Sequence, residues 1–503
     1  MFSFGIIRSY LMTTLRVVVK DPLNSSITIA GLALSLAAAL LITLQIWDET
    51  HVDAKVPNAE RVYRIEGVVT LPGRSAQPRV VSPTPLRDVL TRFDQVEQVE
   101  YLWRQWSTFS RDDDPTLFFN HPVNGVTEGW FDLFPVKLIE GDAEAVLRDP
   151  SQLLLSETLR DRLFPGGGSV LGRTLQLDGK RFTVAAVMED LPHDTHLDLH
   201  LITSVTSAHI RLRDDIDTSY ELRVHSYARL RSSADRATVE QRLNSWAKQN
   251  LPPTDIGAEA YDTADLVDFH LRPVRDIHLQ TALPYRTVGV ALQMKEPANA
   301  SSLYTLGTIA VVILVLGSIN YINLSSARAM ARTREVAMRK VVGASRSQVM
   351  VQFLGESALY ALIAAGLALA MVEMALPILN PFIGKPLTLA TFLDPTLAIA
   401  GVALVIVTAL LAGLYPAFYL SAVRPRRIWG SISSAGGRTF DLRKALVLGQ
   451  FAASITLLVC TIVMQAQAHY ARNLDLGFNP ENVVVLYGTR RGPANTIRIH
   501  DRL

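Results

Sequence analysis

The segment Gly167-Gly-Ser-Val-Leu-Gly172-Arg173-Thr174 comes within one residue of a P-loop, the turn whose backbone N–H groups and lysine cradle nucleotide phosphates. Arg173 stands where that lysine belongs, and a strand pattern follows instead of a helix, so the segment reads as a turn. A second group, His193-Asp-Thr-His196-Leu-Asp198-Leu-His200, has imidazoles and carboxylates that could hold a divalent metal. Leu197 and Leu199 alternate with His196, Asp198 and His200, which predicts a strand following an exposed loop, with histidines solvated or hydrogen-bonded locally rather than metal-bound. No Ser/His/Asp, paired-carboxylate or HExxH arrangement stands out. Glu373 interrupts an otherwise apolar run and reads either as a proton or cation site or as a residue at the outer membrane face. Its position, about 24 Å along a helix from Ser357, favours the outer face.

The most informative stretch runs Ser325-Ser-Ala-Arg328-Ala-Met-Ala-Arg332-Thr-Arg334-Glu335-Val-Ala-Met-Arg339-Lys340-Val-Val-Gly343-Ala-Ser345-Arg-Ser-Gln348. Val336, Met338, Val341 and Val342 lie beside Arg332, Glu335 and Arg339, the pattern of a short amphipathic helix along a membrane, ended by Gly343. Ser345 and Gln348 have capping-box spacing for the next helix. The stretch is readable as ordinary positive-inside charge or as a rigid docking helix that passes force between a partner protein and two spans.

The elements that position these groups follow from the apolar residues. In 503 residues, 49% are hydrophobic, 19% are charged and the formal net charge is +2. Charge this sparse, below the roughly 25% of soluble domains, argues for a chain that largely avoids water. It argues equally against disorder and against a nucleic-acid partner. The single cysteine, Cys460, excludes an internal disulfide framework and a CxxC zinc site. Charge-free runs cover Pro22–Trp47 (26 residues), Ala298–Ala327 (30), Pro395–Val423 (29) and Ala445–Ala468 (24). Each exceeds the roughly 20 residues a helix needs to cross a bilayer. Ser357–Val372 with Met374–Asn380 gives a further span, third in chain order. The first run continues apolar through Leu40–Ile46, past the Ala37-Ala38-Ala39 triplet, which favours an uncleaved anchor over a signal peptide.

Basic residues cluster before the first span, in 328–356 and in 424–444, and five spans put all three on one side, the cytoplasm by the positive-inside rule. The expected layout is a cytoplasmic arm (1–21), TM1 (22–47), an exported domain (48–297) and TM2 (298–327). A cytoplasmic coupling loop (328–356), TM3 (357–380), a short external loop (381–394) and TM4 (395–423) follow, then a cytoplasmic linker (424–444), TM5 (445–468) and an exported tail (469–503). The fold class is therefore an α-helical transmembrane bundle of about five spans plus an α+β exported domain.

Within that domain Arg61–Val69 reads as a strand, and Arg173–Leu177 with Arg181–Val187 as a hairpin closed at Asp178-Gly179. Pro85–Phe93 reads as a helix capped by Thr84, and Ala237–Leu251 as another, with Val239, Leu243 and Trp246 on one face. After the last span, a polar turn leads into a strand from Asn482, repeating the order that follows the first anchor. This suggests a duplication whose second exported domain is cut short.

The stretch from Arg332 resembles the FtsX-like permease family, whose cytoplasmic loop has the form Arg-x-x-Glu-x-x-x-(Arg/Lys)-(Lys/Arg)-x-x-Gly-Ala-Ser. Arg332, Glu335, Arg339, Lys340, Gly343, Ala344 and Ser345 match it. Gly413-Leu-Tyr-Pro416-Ala417, with Pro425, looks like the family's Pro-Ala element at the end of the fourth span. Trp47-Asp-Glu49, Asp53, Asn58 and Arg61-Val-Tyr-Arg64 resemble the opening of a MacB-like periplasmic core domain. His196 to Asp198, and Pro273 with Asp276-Ile-His278, are similar to its later marks.

The resemblance implies a non-catalytic ABC transporter permease in the bacterial inner membrane, amino terminus inside and large domain periplasmic, working by mechanotransmission. It binds no cofactor or metal itself; ATP is used by a separate cytoplasmic ATPase docked on Arg332, Glu335, Arg339 and Lys340, with Gly343 and Ser345 forming the turn. Membrane lipid, a second permease copy and a periplasmic membrane-fusion protein are the other implied partners. Efflux, lipoprotein or peptide handling and cell-envelope signalling all fit this reading. The competing readings are a membrane-anchored periplasmic ligand sensor and a secondary transporter using Glu373.

Overall fold

The computed structural model describes residues 21–114, 118–177, 179–207, 224–256, 259–279, 294–295, 297–421 and 442–474. The amino-terminal arm, Pro425, most of the cytoplasmic linker and the strand expected from Asn482 lie outside these residues.

Five described helices are long and apolar enough to cross a membrane: those expected at the five spans. The first, α1 (Pro22–Thr50), opens with proline in its first turn, where the missing N–H costs nothing, behind Asp21 at the N-cap position. Its near neighbours in the bundle are α3 (Ala300–Val341), α4 (Arg346–Ile383) and α5 (Pro395–Ser421); α2 belongs to the exported domain. Leu32, Leu36, Leu40 and Leu44 of α1 are buried against Leu314, Tyr360, Ala364 and Ala368.

Lipid cannot drive helices together by hydrophobicity, so close contact depends on small residues. A Cβ on Gly317 would lie 2.1 Å from the Ser35 Oγ, and one on Gly413 would lie 2.7 Å from the Ser357 Oγ. Hydrogen bonds add to this packing: Ser25 with the Tyr360 hydroxyl, and Tyr321 with Ser357, each at 3.0 Å. The fifth helix, α6 (Leu442–Arg472), is a separate unit.

Two boundaries differ from expectation. The coupling loop at 328–356 is almost entirely helix, because α3 runs without a break for 42 residues to Val341 and α4 begins at Arg346. The amphipathic segment therefore does not form a separate short helix along the membrane. It prolongs the second span, since its alanines and long straight side chains favour helix and no glycine interrupts it before Gly343. At the other end, α4 runs through Pro377 and Pro381 to Ile383. Glu373 therefore sits about 15 Å before the helix end, exposed beside Met374 and Ile378.

The exported domain is a mixed 11-stranded sheet with helices on it, an α+β fold. Its strands include β1 (Val62–Val69), β2 (Gln77–Arg79), β3 (Val96–Arg111), β4 (Phe118–Val126) and β5 (Leu138–Gly141). They continue with β6 (Gln152–Ser156), β7 (Thr174–Leu177), β8 (Lys180–Met188), β9 (Leu201–Ser204) and β10 (His225–Leu230). Two short strands, β11 (Thr254–Ile256) and β12 (Glu259–Tyr261), pair apart from the main sheet, and β13 (Val267–Pro273) closes one edge of it. The order is β13-β1-β10-β3-β4-β9-β6-β8-β5, with β2 on β1 and β7 on β3 and β8.

The expected hairpin is present as β7–β8, with Leu177 opposite Lys180 and Gly179 at φ +82°. The P-loop-like segment is a series of turns before β7. The helix α2 (Arg236–Asn250) buries Val239, Leu243 and Ala247, with Trp246 packed beside them, against Tyr63, Ile65 and Phe269. The helix expected over Pro85–Phe93 is shorter, Leu86–Leu90, and Pro85 rather than Thr84 occupies its N-cap position.

Candidate functional site

Two places on the bundle combine charge, close packing and a change of chain direction. The inner one is the elbow between α3 and α4. There α3 ends on a Schellman motif: Gly343, at φ +102°, donates its N–H to Lys340 O, and Ala344 donates to Arg339 O. Only glycine takes that φ without strain. Ser345 and Gln348 then form the expected reciprocal capping box that opens α4. Four residues, 342–345, thus reverse the chain rigidly.

Of the expected docking residues, Arg339 and Lys340 are turned inward. Arg339 donates to Gln352 Oε1 at 2.5 Å, and Lys340 Nζ donates to Ser421 O at 2.6 Å at the end of α5. Arg346 reaches the Ser421 hydroxyl, and Val336 packs with Val349, Phe353 and Ala417. The second recognised element belongs to this same joint. Gly413 allows α5 against Ser357, Pro416 is buried inside α5, and Ala417 is fully buried beside Val336. Arg332 and Glu335 fall within α3, and their side chains are outside the described part. The elbow exposes three apolar side chains, Met338, Val341 and Val342 at 61%, 57% and 83%, beside the exposed polar Ser345, Arg346, Ser347 and Gln348.

The outer place is the last turn of α1, where sequence reasoning noted Asp48 and Glu49 only as marks of resemblance. Asp48 is buried, and receives Lys385 Nζ at 2.7 Å and His193 Nε2 at 2.9 Å. Glu49 receives the same ammonium at 2.9 Å and His278 Nε2 at 2.5 Å. Lys385 follows Gly384, the left-handed residue ending α4, so the α4–α5 turn places it there. Burial disfavours the Lys385 ammonium, but its hydrogen bonds to Asp48 and Glu49 and their charges outweigh this and raise its pKa above the usual lysine value.

A few residues on, Asp53 and Asn58 adopt φ +59° and +54°, a region that Asp and Asn tolerate better than other non-glycine residues. Asp53 accepts from the Thr195 hydroxyl at 2.7 Å and from His196, through both Nδ1 and the backbone N–H. Burial would raise the Asp53 pKa, but the His196 charge and hydrogen bonds hold it below the ordinary value. His196 Nε2 meets the Tyr227 hydroxyl at 2.7 Å.

The histidines 193, 196 and 200 therefore do not converge. His193 serves Asp48, His196 serves Asp53, and His200 bonds Ser156 at 2.8 Å and pairs with Asp198 at 3.3 Å. Their segment is irregular chain, not the expected strand, because its polar groups bond to separate elements; β9 begins only at Leu201. No group of three metal-ligating side chains occurs among the described residues. Arg64 is buried in a pair with Glu66, which also receives Arg272 at 2.8 Å. Deeper still, His225 is fully buried, and its ring nitrogens make no hydrogen bond of good geometry. It borders a cavity of about 20 Å³, room for roughly one water, also lined by Arg64 and Lys295. Burial first, then the charges of Arg64 and Arg104, bring its pKa down to about 3 against a weak opposing pull from the Val80 carbonyl.

An anchored α+β domain above a helical bundle, with a rigid elbow at the bundle's other end, defines a multi-pass membrane permease with a periplasmic domain. Two family models match it: the MacB-like periplasmic core domain over residues 25–246 and the FtsX-like permease C-terminal domain over residues 307–425. The chain belongs to the family of MacB-like, FtsX-like ABC transporter permeases. It is 24% identical over 242 residues to an uncharacterized ABC transporter permease, YvrN, of Bacillus subtilis, covering 47% of this chain and 53% of that one. It is 25% identical over 317 residues to the macrolide export ATP-binding/permease protein MacB of Hyphomonas neptunium, covering 61% and 43%. The chain thus spans about half the length, or less, of these curated relatives. A solved structure of the periplasmic region of MacB from Actinobacillus actinomycetemcomitans is 14% identical, covers 43% of this chain and 90% of that one, and has a TM-score of 0.31.

Proposed function

We propose that the chain is the permease subunit of an ABC transporter in the bacterial inner membrane, with its amino terminus in the cytoplasm. A separate cytoplasmic ATPase grips the α3–α4 elbow, and ATP-driven movement of that ATPase displaces the periplasmic domain. The observation that carries this reading is the unbroken α3. Its 42 residues rise about 63 Å, roughly twice the hydrocarbon thickness, so a push at the elbow reaches the exported domain without passing a hinge. Arg339 and Lys340 stiffen the grip by tying α3 to α4 and α5, while Met338, Val341 and Val342 supply the apolar contact surface. ATP binds to the partner, and this chain is not itself the catalyst. The transported or displaced substance lies on the periplasmic side.

The test is affinity purification of the full chain from its host membrane in mild detergent. The unaltered chain brings down a P-loop ATPase, and Met338→Asp with Val342→Asp loses it while the bundle stays folded. Full retention of the ATPase by that double variant overturns the docking assignment.

A further inference from the structure

The ionic cluster at the end of α1 joins three parts of the chain that the covalent path keeps far apart. Asp48 and Glu49 end the first span, and Lys385 belongs to the turn between α4 and α5. His193 lies in the loop before β9, and His278 in the segment that leaves β13 for α3. The His278 carbonyl also accepts the Ala298 N–H at 2.8 Å, two residues before α3 begins, so the same residue holds both anchors.

The side chains of Lys385, Asp48, Glu49 and His278 are each less than a fifth exposed. Breaking a pair this sheltered leaves an uncompensated charge, unlike an exposed surface pair. Nothing else on the α4–α5 turn makes a charged contact with the exported domain or its anchors among the described residues. The inner ends of α4 and α5 are fixed to α3 at the elbow. Without the outer cluster, the far ends of α4 and α5 would have only apolar packing with which to carry movement outward.

We infer that Lys385 is a positioning residue, an outer latch through which the α4–α5 pair holds α1, α3 and the exported domain in one register. The inference rests on the force-transmission reading but needs no ATPase for its test. Asp48 and Glu49 form the receiving half of the latch, and His193 and His278 fasten that half to the exported domain. Displacement of α4 and α5 at the elbow then reaches the domain by two routes, along α3 and across the latch. Loss of the latch leaves the domain fastened to α1 through His193 and His278 but no longer held in register with the α4–α5 turn.

The experiment uses the full chain in lipid nanodiscs, in a Cys460→Ser background. Spin labels are placed at Ala390→Cys on the outer turn and Arg92→Cys on the exported domain, both exposed positions. Pulsed electron paramagnetic resonance reads the distance distribution between them. The unaltered latch gives one narrow distance. Lys385→Gln at least doubles the width of the distribution, and Lys385→Arg, which keeps the charge, restores the narrow one. A Lys385→Gln distribution that superimposes on the parent overturns the inference, as does broadening that Lys385→Arg shares in full.

If Lys385→Gln fails to fold, the same labels read Glu49→Gln and His278→Asn, each expected to broaden the distribution by a smaller factor, and no broadening in either overturns the inference. Failure to find an ATPase partner would leave these distances unchanged. An unchanged distance would conversely sink the latch while leaving the docking assignment standing.

Discussion

Acid should weaken the exported domain most strongly through His225, over a window set by its burial, with His121, whose pKa burial also lowers, adding in the same direction. In the unfolded chain the His225 imidazole takes up a proton near pH 6.5, whereas in the fold it stays neutral until about pH 3. Between those values unfolding binds a proton, so stability falls as pH falls; above 6.5 the residue contributes nothing to the pH dependence. Each pH unit inside the window costs about 1.4 kcal/mol, so acidification from pH 6.5 to pH 4.5 removes roughly 2–3 kcal/mol. The perturbation is His225→Gln, which cannot titrate. The assay is urea unfolding of the full chain in detergent, followed by tryptophan fluorescence, because Trp130 packs edge-on against Tyr227, two residues along β10. The variant is expected to start less stable at neutral pH but to have a flatter profile between pH 6.5 and 4.5. Most carboxylates remain ionised in that range, and Asp53 and Asp198 are held below their ordinary pKa by His196 and by His200 with Arg104 against their burial. Identical slopes in parent and variant would refute the reasoning.

Other expectations concern the helical bundle and its inner joint. Gly413→Val places branched carbon where Ser357 Oγ and Cβ already sit, and should cost about 1–3 kcal/mol of bundle stability. Gly401→Ala, whose nearest neighbours are at 3.7 Å or beyond, should leave the melting temperature within a degree or two. Ser345→Ala removes the capping-box acceptor and should cost about 0.5–2 kcal/mol, seen as faster amide exchange at Gln348, while Ser345→Asp preserves protection.

The spans were legible because a bilayer demands about 20 apolar residues in a row, and charge-free runs of that length are rare in other contexts. The capping box at Ser345 and Gln348, the hairpin turn at Gly179 and the buried face of Val239 and Leu243 were legible for the same reason: each is a local rule satisfied by neighbours in sequence. The elbow was only half legible. Motif spacing picked out Arg339 and Lys340, but nothing local says that their partners are Gln352 and the carbonyl of Ser421, so inward-facing charges read as a docking surface. Continuity of α3 was missed because the change from apolar to basic at Arg328 marks the edge of the lipid, not the end of a helix.

The outer latch was invisible for a related reason. Asp48 and Lys385 are 337 residues apart, and each alone reads as an ordinary charge beside a membrane. A lone lysine directly after a helix-ending glycine, the single basic residue of the 381–394 turn, was the available signal. The histidines illustrate the reverse error: alternation with Leu197 and Leu199 suggested a strand, whereas irregular backbone sends His193, His196 and His200 to three separate partners.

The account stands most directly on which side of the membrane the elbow occupies. Val342→Cys in the Cys460→Ser background, treated with a membrane-impermeant maleimide, measures this in spheroplasts and in inverted vesicles. Protection in spheroplasts with full labelling in inverted vesicles is the predicted result. Labelling of Val342→Cys from outside intact spheroplasts would contradict it, because the elbow would then share its side with the exported domain and face no cytoplasmic ATPase.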